Sequence, residues 1–253
     1  MSNLKNMQGK AALVTGAASG LGKATALKLA AAGADLGIVD INAEGLEITA
    51  AEARELGVKV FTQVVDMAQR EQVVSAVDNT VAAYGRLDAL CNVAGIIIMC
   101  NAHEMPAEQW TRVIDINLNG PFFAIQAAIP HLLESNGAVV NVTSTAAFVG
   151  EAYAGAYCAS KAGLLQLTRA LAMEYVHKTI RFNAVAPGGM MTNIANNMTM
   201  PEGVDYELIK RYSGLRGLVE VEDVAEAVLT LASGAGRGYH GACITIDKGI
   251  TAG

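Results

Sequence analysis

The sequence predicts an α/β fold, a single doubly wound domain in which helices cover both faces of a parallel seven-stranded sheet. Apolar runs of strand length alternate with longer segments of helical period, which is the pattern of repeated βαβ units. The runs are almost continuous in apolar residues, as is typical of parallel strands buried on both faces. No Pro-, Gly- or Ser-rich linker divides the chain. We therefore predict one domain over residues 1–253.

The predicted strands follow one another at intervals that leave room for a helix between most neighbours. In chain order they are Ala11–Thr15, Asp35–Asp40, Val58–Val65, Leu87–Asn92, Ala138–Thr143, Ile180–Ala186 and Cys243–Ile246. The first helical run follows a glycine-rich turn and extends from Lys23 to Ala32. This rhythm of short strand, turn and helix predicts sequential βαβ units.

One stretch, residues 188–217, interrupts the rhythm before the last helix. It holds four of the ten methionines, with Asn193, Asn196 and Asn197 among them. A long connection in a compact α/β domain is usually a lid or a binding loop. Flexible Met-rich segments also suit apolar ligands of irregular shape. We predict a substrate lid over residues 188–217, with a subunit contact as the alternative.

Composition excludes several classes of protein. Eighteen Lys and Arg stand against 24 Asp and Glu, and the basic residues are scattered, which disfavours nucleic acid as a partner. No run of 18 apolar residues predicts a membrane span, and no early apolar run resembles a secretory leader. The four cysteines and four histidines are dispersed, so we expect no metal. The expected location is the cytoplasm.

A nucleotide site is predicted where the first strand meets the first helix. The turn Thr15-Gly16-Ala17-Ala18-Ser19-Gly20-Leu21-Gly22 has three glycines, which permit a tight turn and close backbone approach. A helix N-terminus at such a turn offers free N–H groups and a positive dipole end to a pyrophosphate. A glycine pattern alone is weak evidence, but the strand before it and the helix after it strengthen the prediction.

Asp40, which ends the second predicted strand, bears on the choice of cofactor. A carboxylate there accepts hydrogen bonds from both ribose hydroxyls of an adenosine and repels a 2′-phosphate. Neither the glycine turn nor the segment 40–45 contains Lys or Arg that would neutralise that phosphate. We predict NAD rather than NADP. The alternative is that Asp40 only caps the following helix.

Acid/base chemistry is indicated by Tyr157 and Lys161, which lie four residues apart and so share one face of a helix. A phenol is a poor base at neutral pH, but a neighbouring ammonium favours the phenolate and lowers its pKa. Such a pair exchanges a proton with an alcohol or carbonyl oxygen. Ser144 follows a strand and offers a hydroxyl to the same oxygen, although it also suits a helix cap. The Tyr/Lys spacing alone occurs by chance in many helices.

Together these motifs resemble the classical short-chain dehydrogenases/reductases over nearly the whole chain. The resemblance rests on the glycine turn, Asn92-Val93-Ala94-Gly95, Asn117, Ser144, Tyr157 with Lys161, and Pro187-Gly188 followed by Thr192. It implies a Rossmann-like seven-stranded sheet in which Tyr157 is the acid/base and Lys161 lowers its pKa and binds the nicotinamide ribose. By the same resemblance Ser144 orients the substrate oxygen, and Asn117 holds a water in a proton relay.

The resemblance also implies a set of cofactor contacts spread along the chain, with Asp66 at the adenine and residues 187–192 at the carboxamide. The implied cofactor-binding residues are Gly16, Ser19, Gly20, Leu21, Gly22, Asp40, Ile41, Asp66, Met67, Asn92, Ala94, Gly95, Tyr157, Lys161, Pro187, Gly188 and Thr192. A homo-oligomer, a tetramer or a dimer, is implied as well, built through the long helices after Pro106 and after Tyr157 and through the C-terminal strand.

The predicted substrate pocket is almost entirely apolar. Its candidate residues are Ile97, Ala146, Phe148, Tyr153, Met190 and Met191. No Arg or Lys stands in the segment after Gly95 or between Ser144 and Tyr157 to pair with a substrate carboxylate or phosphate. We expect a hydrophobic secondary alcohol or ketone, with a cyclic one fitting best. About half of these side chains are expected simply to be core.

Three functions are compatible with the sequence. The first is an NAD-dependent secondary alcohol dehydrogenase that acts on an apolar substrate. The second is a 3-oxoacyl-thioester reductase, which normally uses NADPH and docks an acidic carrier protein through a basic patch. Asp40 and the net charge of -6 argue against it. The third is a non-catalytic nucleotide sensor, which would have no need of the acid/base residues.

Overall fold

The computed structural model describes residues 4–192, 198–210, 214 and 216–252. It contains a seven-stranded parallel sheet in the order β3-β2-β1-β4-β5-β6-β7. The strands are β1 (Ala11–Thr15), β2 (Asp35–Asp40), β3 (Val60–Val64), β4 (Ala89–Asn92), β5 (Ala138–Val142), β6 (Arg181–Pro187) and β7 (Cys243–Ile246). The predicted fold class is confirmed.

Helices connect the strands along the chain. Those that the structure describes are α1 (Gly20–Ala31), α2 (Ala43–Glu55), α3 (Arg70–Tyr84), α4 (Ala107–Ile114), α5 (Gly120–Ser135), α6 (Gly155–Glu174), α7 (Tyr206–Lys210) and α8 (Val221–Ala232). A π-helical turn over Asp115–Asn119 joins α4 to α5. Short 3₁₀ turns lie at Thr145–Ala147, Gly234–Gly236 and Ile250–Ala252.

The alternation of side chains along each strand divides the core into two layers. In β1, Ala12 and Val14 pack against α1, α2 and α8 on one face, while Leu13 packs against α3, α5 and α6 on the other. All five residues of β1 are buried, as are those of β5. A strand covered on both faces must be apolar at nearly every position, which explains the continuous apolar runs.

The strand order determines where along the sheet the site lies. The chain passes outward through β2 and β3 on one side of β1, then returns to place β4 on its other side. At this reversal the loops after β1 and β4 separate and leave a crevice outside the carboxyl ends of the strands. The opposite edge of the sheet carries short turns from helix to strand, such as the turn at Gly85 between α3 and β4.

Element boundaries depart from the predicted ones by only a few residues. β3 is shorter than predicted, because residues 58 and 59 belong to the approach from α2, and α1 begins at Gly20 rather than Lys23. No helix within the described ranges is long and apolar enough to cross a membrane. Of the predicted lid, Asn193, Asn196 and Asn197 lie outside the described residues.

Candidate active site

The turn between β1 and α1 has a backbone that admits no side chain at two positions. Gly16 has φ of +71°, and a Cβ there would lie 2.7 Å from the Cα of Ala94. A Cβ on Gly22 would lie 1.9 Å from the carbonyl oxygen of Gly16. Ser19 is the N-cap of α1, yet its side chain makes no capping hydrogen bond. The first N–H groups of α1 therefore have no side-chain cap and face the crevice.

Asp40 ends β2 beside this turn, and two backbone groups fix its carboxylate. One oxygen accepts a hydrogen bond from the N–H of Ala18 at 3.0 Å, and the other accepts one from the N–H of Asn42 at 2.9 Å. The N-cap of α2 is Asn42, which accepts from the N–H of Gly45 at 3.1 Å. Capping of α2 therefore does not account for Asp40.

Asp66 and Arg112 form an ion pair at the wall of the same crevice, with 2.8 Å between guanidinium nitrogen and carboxylate oxygen. Burial by itself would raise the pKa of Asp66, but the hydrogen bond and charge of Arg112, with the N–H of Ala68, hold that pKa below its usual value. Asp66 was a predicted site residue and Arg112 was not. Forty-six residues separate them, so only the fold reveals the pair.

The predicted acid/base residue Tyr157 lies in the first turn of α6, and its phenol hydrogen-bonds Ser144. Burial raises the pKa of Tyr157 to about 12; the bond to Ser144 opposes this, and the negative charge of Glu151 adds to it. Ser144 also caps the 3₁₀ turn after β5 by accepting from the N–H of Ala146 at 3.2 Å. The hydroxyl of Ser144 therefore does two things: it caps the 3₁₀ turn, and it lies beside the phenol of Tyr157.

Lys161 is almost fully buried one turn further along α6. Its ammonium donates to the carbonyl oxygen of Val142 at 2.9 Å and lies 5.7 Å from the ring centroid of Tyr157. Burial lowers the pKa of Lys161 to about 8. The expected lowering of the Tyr157 pKa by this ammonium is not found; burial of the phenol raises that pKa instead.

Asn117 is placed by the π-helical turn between α4 and α5, a feature that often marks a functional position in a helix. Its amide oxygen accepts from the N–H of Ile96 at 2.8 Å. Its amide nitrogen donates to the carbonyl oxygen of Ile96 at 2.9 Å and to the hydroxyl of Ser160 at 3.0 Å. Asn117 thus ties the loop after β4 to α6, where Lys161 lies.

These elements enclose one cleft of about 290 Å³ that runs from the glycine turn to Tyr157 and Lys161. Of the predicted cofactor-binding residues, only Asn92 and Gly188 do not line it. Asn92 is buried and donates to Asn141 at 2.8 Å. The lining residues that were not predicted are Val65, Val93, Ile96, Arg112, Ile116, Val142 and Thr143. Most of them have apolar side chains at strand ends or in helices, and such positions do not stand out as a motif in the sequence.

The predicted substrate residues do not come together in one place. Met190 lines the cleft, whereas Tyr153 lines a second cavity of about 370 Å³. Ala146 is buried, Phe148 and Met191 are exposed, and Ile97 lines neither cavity.

The second cavity lies between α4 and the segment that precedes Tyr157. Its lining residues are Cys100, Asn101, Ala102, His103, Met105, Trp110, Glu151, Tyr153, Gly155 and Ala156. Burial raises the pKa of Glu151 to about 7, and a hydrogen bond with Thr145 opposes this shift. No sequence motif singled out Glu151, although it is the sole carboxylate between Ser144 and Tyr157.

Among the described residues, no group of three His, Cys, Asp or Glu side chains is placed to hold a metal ion.

The chain matches a family model described as Enoyl-(Acyl carrier protein) reductase over residues 16–251. It is 38% identical to the 3-oxoacyl-acyl-carrier-protein reductase FabG of Thermotoga maritima, covering 96% of this chain and 98% of that protein. It is 36% identical to a cyclohexanol dehydrogenase of an Acinetobacter species, covering 99% and 98%. A short-chain type dehydrogenase/reductase from Mycobacterium marinum superposes with a TM-score of 0.89 at 30% identity, covering 99% of each chain.

Proposed function

Because the chain belongs to the short-chain dehydrogenase/reductase family of oxidoreductases, we propose that it interconverts an apolar secondary alcohol and its ketone with NAD. The observation that carries the proposal is the single cleft in which the glycine turn and Asp40 share a wall with Tyr157 and Lys161. A nucleotide-binding turn and a proton-transfer pair in one cleft support a redox reaction at a carbon–oxygen bond.

Tyr157 is the proposed acid/base. Its raised pKa keeps the phenol protonated near neutral pH, so that it donates a hydrogen bond and then a proton to a carbonyl oxygen. The hydroxyl of Ser144 holds the same oxygen from its position beside the phenol. In the direction of alcohol oxidation, the ammonium of Lys161 favours the phenolate form that takes the proton back.

The proton route beyond Lys161 is proposed to involve Asn117. Its side chain joins the backbone of Ile96 to Ser160, one residue before Lys161. A carbonyl oxygen has two lone pairs, so the amide oxygen of Asn117 retains an acceptor site for a water. This supports the relay that the family resemblance implies.

The residues fit a nicotinamide dinucleotide, because the cradle at Gly16 and Gly22 excludes a Cβ and leaves the N-terminus of α1 open to a pyrophosphate. When bound, that cofactor supplies or accepts the hydride. Asp40 and the ion pair of Asp66 with Arg112 would hold its adenosine half. Lys161, Pro187 and Thr192 would hold its nicotinamide half.

NAD is favoured over NADP by the fixed carboxylate of Asp40, whose oxygens already accept from two backbone N–H groups. A 2′-phosphate placed beside it would face an uncompensated negative charge. Arg112 also lines the cleft, but it is paired with Asp66.

An apolar substrate is supported by the aliphatic side chains of Ile96, Ile116 and Met190 on the cleft wall. A cyclic alcohol is further supported by the similarity to a cyclohexanol dehydrogenase. The described residues of 188–217 are proposed to act as the lid, since Thr192 and Met190 line the cleft. Asn101 and Tyr153 also hydrogen-bond Glu202 and Asp205 in the described part of this insertion.

A second candidate, a 3-oxoacyl-thioester reductase, is favoured by the 38% identity to FabG. The two candidates differ in both cofactor and substrate. The thioester reductase would prefer NADPH and a 3-oxoacyl group, and Asp40 opposes that cofactor.

The deciding experiment follows NADH and NADPH absorbance with the purified protein. One arm offers cyclic and acyclic secondary alcohols or ketones, and the other offers acetoacetyl-CoA. We expect turnover of cyclic secondary alcohols with NAD. Faster reduction of acetoacetyl-CoA with NADPH would establish the second candidate instead. Tight NAD binding with no turnover in either arm would favour a nucleotide sensor.

A further inference from the structure

Glu151 lies in the segment between β5 and α6, six residues before Tyr157. It lines the second cavity, and its charge acts on the phenol of Tyr157. Consecutive residues after β5 bond to the two groups, since Ser144 bonds to Tyr157 and Thr145 bonds to Glu151. Two consecutive residues therefore connect the carboxyl group of Glu151, which lines the second cavity, with the phenol of Tyr157, which lines the cleft.

No cation neutralises Glu151 among the residues that the structure describes. Its described side-chain partner is the hydroxyl of Thr145, and none of the ion pairs in those ranges includes it. A carboxyl group has about four acceptor positions, of which Thr145 occupies one. Burying such a group costs free energy unless it gains another hydrogen-bond partner. The carboxyl group that holds these unused acceptor positions lines a cavity rather than the core.

The walls around Glu151 are aromatic and apolar. Trp110 approaches from α4, Met105 from the loop before it, and Tyr153 from the segment that carries Glu151. Asn101 and His103 also line the cavity, so apolar surfaces and a few polar groups together form the kind of site that binds an amphipathic small molecule and orients it by hydrogen bonds.

We propose that Glu151 is a specificity-determining residue that accepts a hydrogen bond from a second hydroxyl group of the substrate, so that the preferred substrate is a cyclic diol rather than a simple cyclic alcohol. This inference rests on the proposed alcohol dehydrogenase function. One hydroxyl is placed at Tyr157 and Ser144 and reacts, while the other is held by Glu151 and does not.

A hydroxyl fits Glu151 better than a substrate cation does. Burial keeps the pKa of this carboxyl near neutrality, where its protonated and ionised forms coexist. A hydroxyl can both donate and accept, so it pairs with either form. A substrate ammonium would pair only with the ionised form.

The test compares kcat/KM for cyclohexanol with kcat/KM for cyclohexane-1,2-diol, 1,3-diol and 1,4-diol, each with NAD. We expect the protein to prefer at least one diol over cyclohexanol. In Glu151→Leu the ratio of diol to cyclohexanol should fall by about ten- to a hundredfold, the factor that one hydrogen bond to a charged group provides. Glu151→Gln, which retains one acceptor, should lie between the wild type and Glu151→Leu.

Glu55→Gln and Glu55→Leu are the matched controls, because Glu55 is exposed at the end of α2, away from both cavities. They should leave the ratio unchanged. A KM effect confined to the diols separates contact with the second hydroxyl from a general disturbance of Tyr157, which would lower kcat for every alcohol equally.

Three results would overturn the inference. One is a wild-type protein that oxidises cyclohexanol at least as well as every diol. Another is an equal loss for diols and cyclohexanol in both Glu151 variants. The third is an unchanged ratio in Glu151→Leu. The first and third leave the proposed alcohol dehydrogenase function standing, whereas failure to oxidise any alcohol removes that function and the inference with it.

Discussion

At the scale of single residues, the proposed reaction depends on two ionisable groups whose pKa values burial moves apart. Burial raises the pKa of Tyr157 to about 12 and lowers that of Lys161 to about 8. In both cases desolvation disfavours the charged form. The protein interior therefore favours a neutral phenol and weakens the ammonium, and the bond from Ser144 acts against the first of these effects.

Replacement of Tyr157 by Phe tests the acid/base role. The variant keeps the ring but loses the proton donor, so kcat should fall by at least about a hundredfold. NAD affinity should change little, because the nucleotide contacts at the glycine turn remain. The measurements are NADH production and NAD titration by calorimetry. Activity within tenfold of the wild type would contradict the assignment.

Replacement of Asp40 by Ser tests cofactor choice. Loss of the carboxylate removes its repulsion of a 2′-phosphate and one set of acceptors for the ribose hydroxyls. The preference for NAD over NADP, measured as a ratio of kcat/KM values, should fall by about tenfold or more. Asp78→Ser, an exposed change on α3, serves as the control. An unchanged ratio would show that Asp40 does not select the cofactor.

Glu151 should give the stability of the protein a distinctive pH dependence. Its pKa is raised from 4.5 to about 7 in the folded protein, so between these values the folded state holds a proton that the unfolded chain releases. The free energy of unfolding should therefore fall as pH rises from about 4.5 to about 7, by at most ~3 kcal/mol.

Urea unfolding at several pH values in this range measures the effect on the wild type and on Glu151→Gln. Subtracting the unfolding free energy of one protein from that of the other at each pH removes the contribution of groups that titrate equally in both. The variant should gain stability relative to the wild type as pH rises. Parallel curves would show that Glu151 titrates near its ordinary pKa.

At the scale of elements, Tyr153 joins three segments around the proposed substrate region. Its backbone has φ of +66°, a strained conformation for a residue with a side chain. Its carbonyl oxygen accepts from the N–H of Cys100 at 2.8 Å, and its hydroxyl accepts from the N–H of Asp205 at 2.9 Å. The loop after β4 and the part of the insertion just before α7 are thus held by one residue that precedes α6.

Removal of the Tyr153 hydroxyl in Tyr153→Phe should loosen the insertion. Loss of one partly solvated hydrogen bond should raise KM for a cyclic alcohol about two- to tenfold, with a smaller change in kcat. Cleavage by a protease within residues 198–210 should become faster. Tyr239→Phe, at an exposed position, is the control. Unchanged KM and cleavage would argue that this contact does not hold a lid.

At the scale of the whole molecule, the two long helices leave apolar side chains exposed. Phe122 on α5 is 37% exposed and Met173 on α6 is 70% exposed. We predict that these exposed apolar positions contribute to an association surface. This supports the homo-oligomer that the family resemblance implies.

Light scattering on the purified protein should therefore give a mass of two or four times 26.3 kDa. Introduction of a charge in Phe122→Glu should shift the population toward smaller species, because an unpaired charge in an apolar interface is costly. Lys10→Glu, away from these helices, supplies the control. A wild-type mass of 26.3 kDa would contradict the expectation.

The sequence suffices for the fold because central parallel strands, which are buried on both faces, are apolar at nearly every position. It also suffices to propose the glycine turn and the Tyr157 pair, because their spacing along the chain is what creates them. Arg112 and Glu151 were missed for the opposite reason, since their importance depends on neighbours brought close by the fold. The direction of the Tyr157 pKa shift was predicted wrongly because burial, its main cause, is a property of the folded protein.

The edge of the sheet opposite the cleft carries no part of the proposed chemistry. At Gly85, where α3 turns into β4, no atom lies within 4 Å of the place a side chain would occupy. Peptide tags inserted at this turn should be tolerated, because loop tips with few contacts accept insertions. Attachment to a solid support through Gly85 should accordingly leave the cleft on the side facing the solution, as a biosensor or a packed-bed catalyst requires.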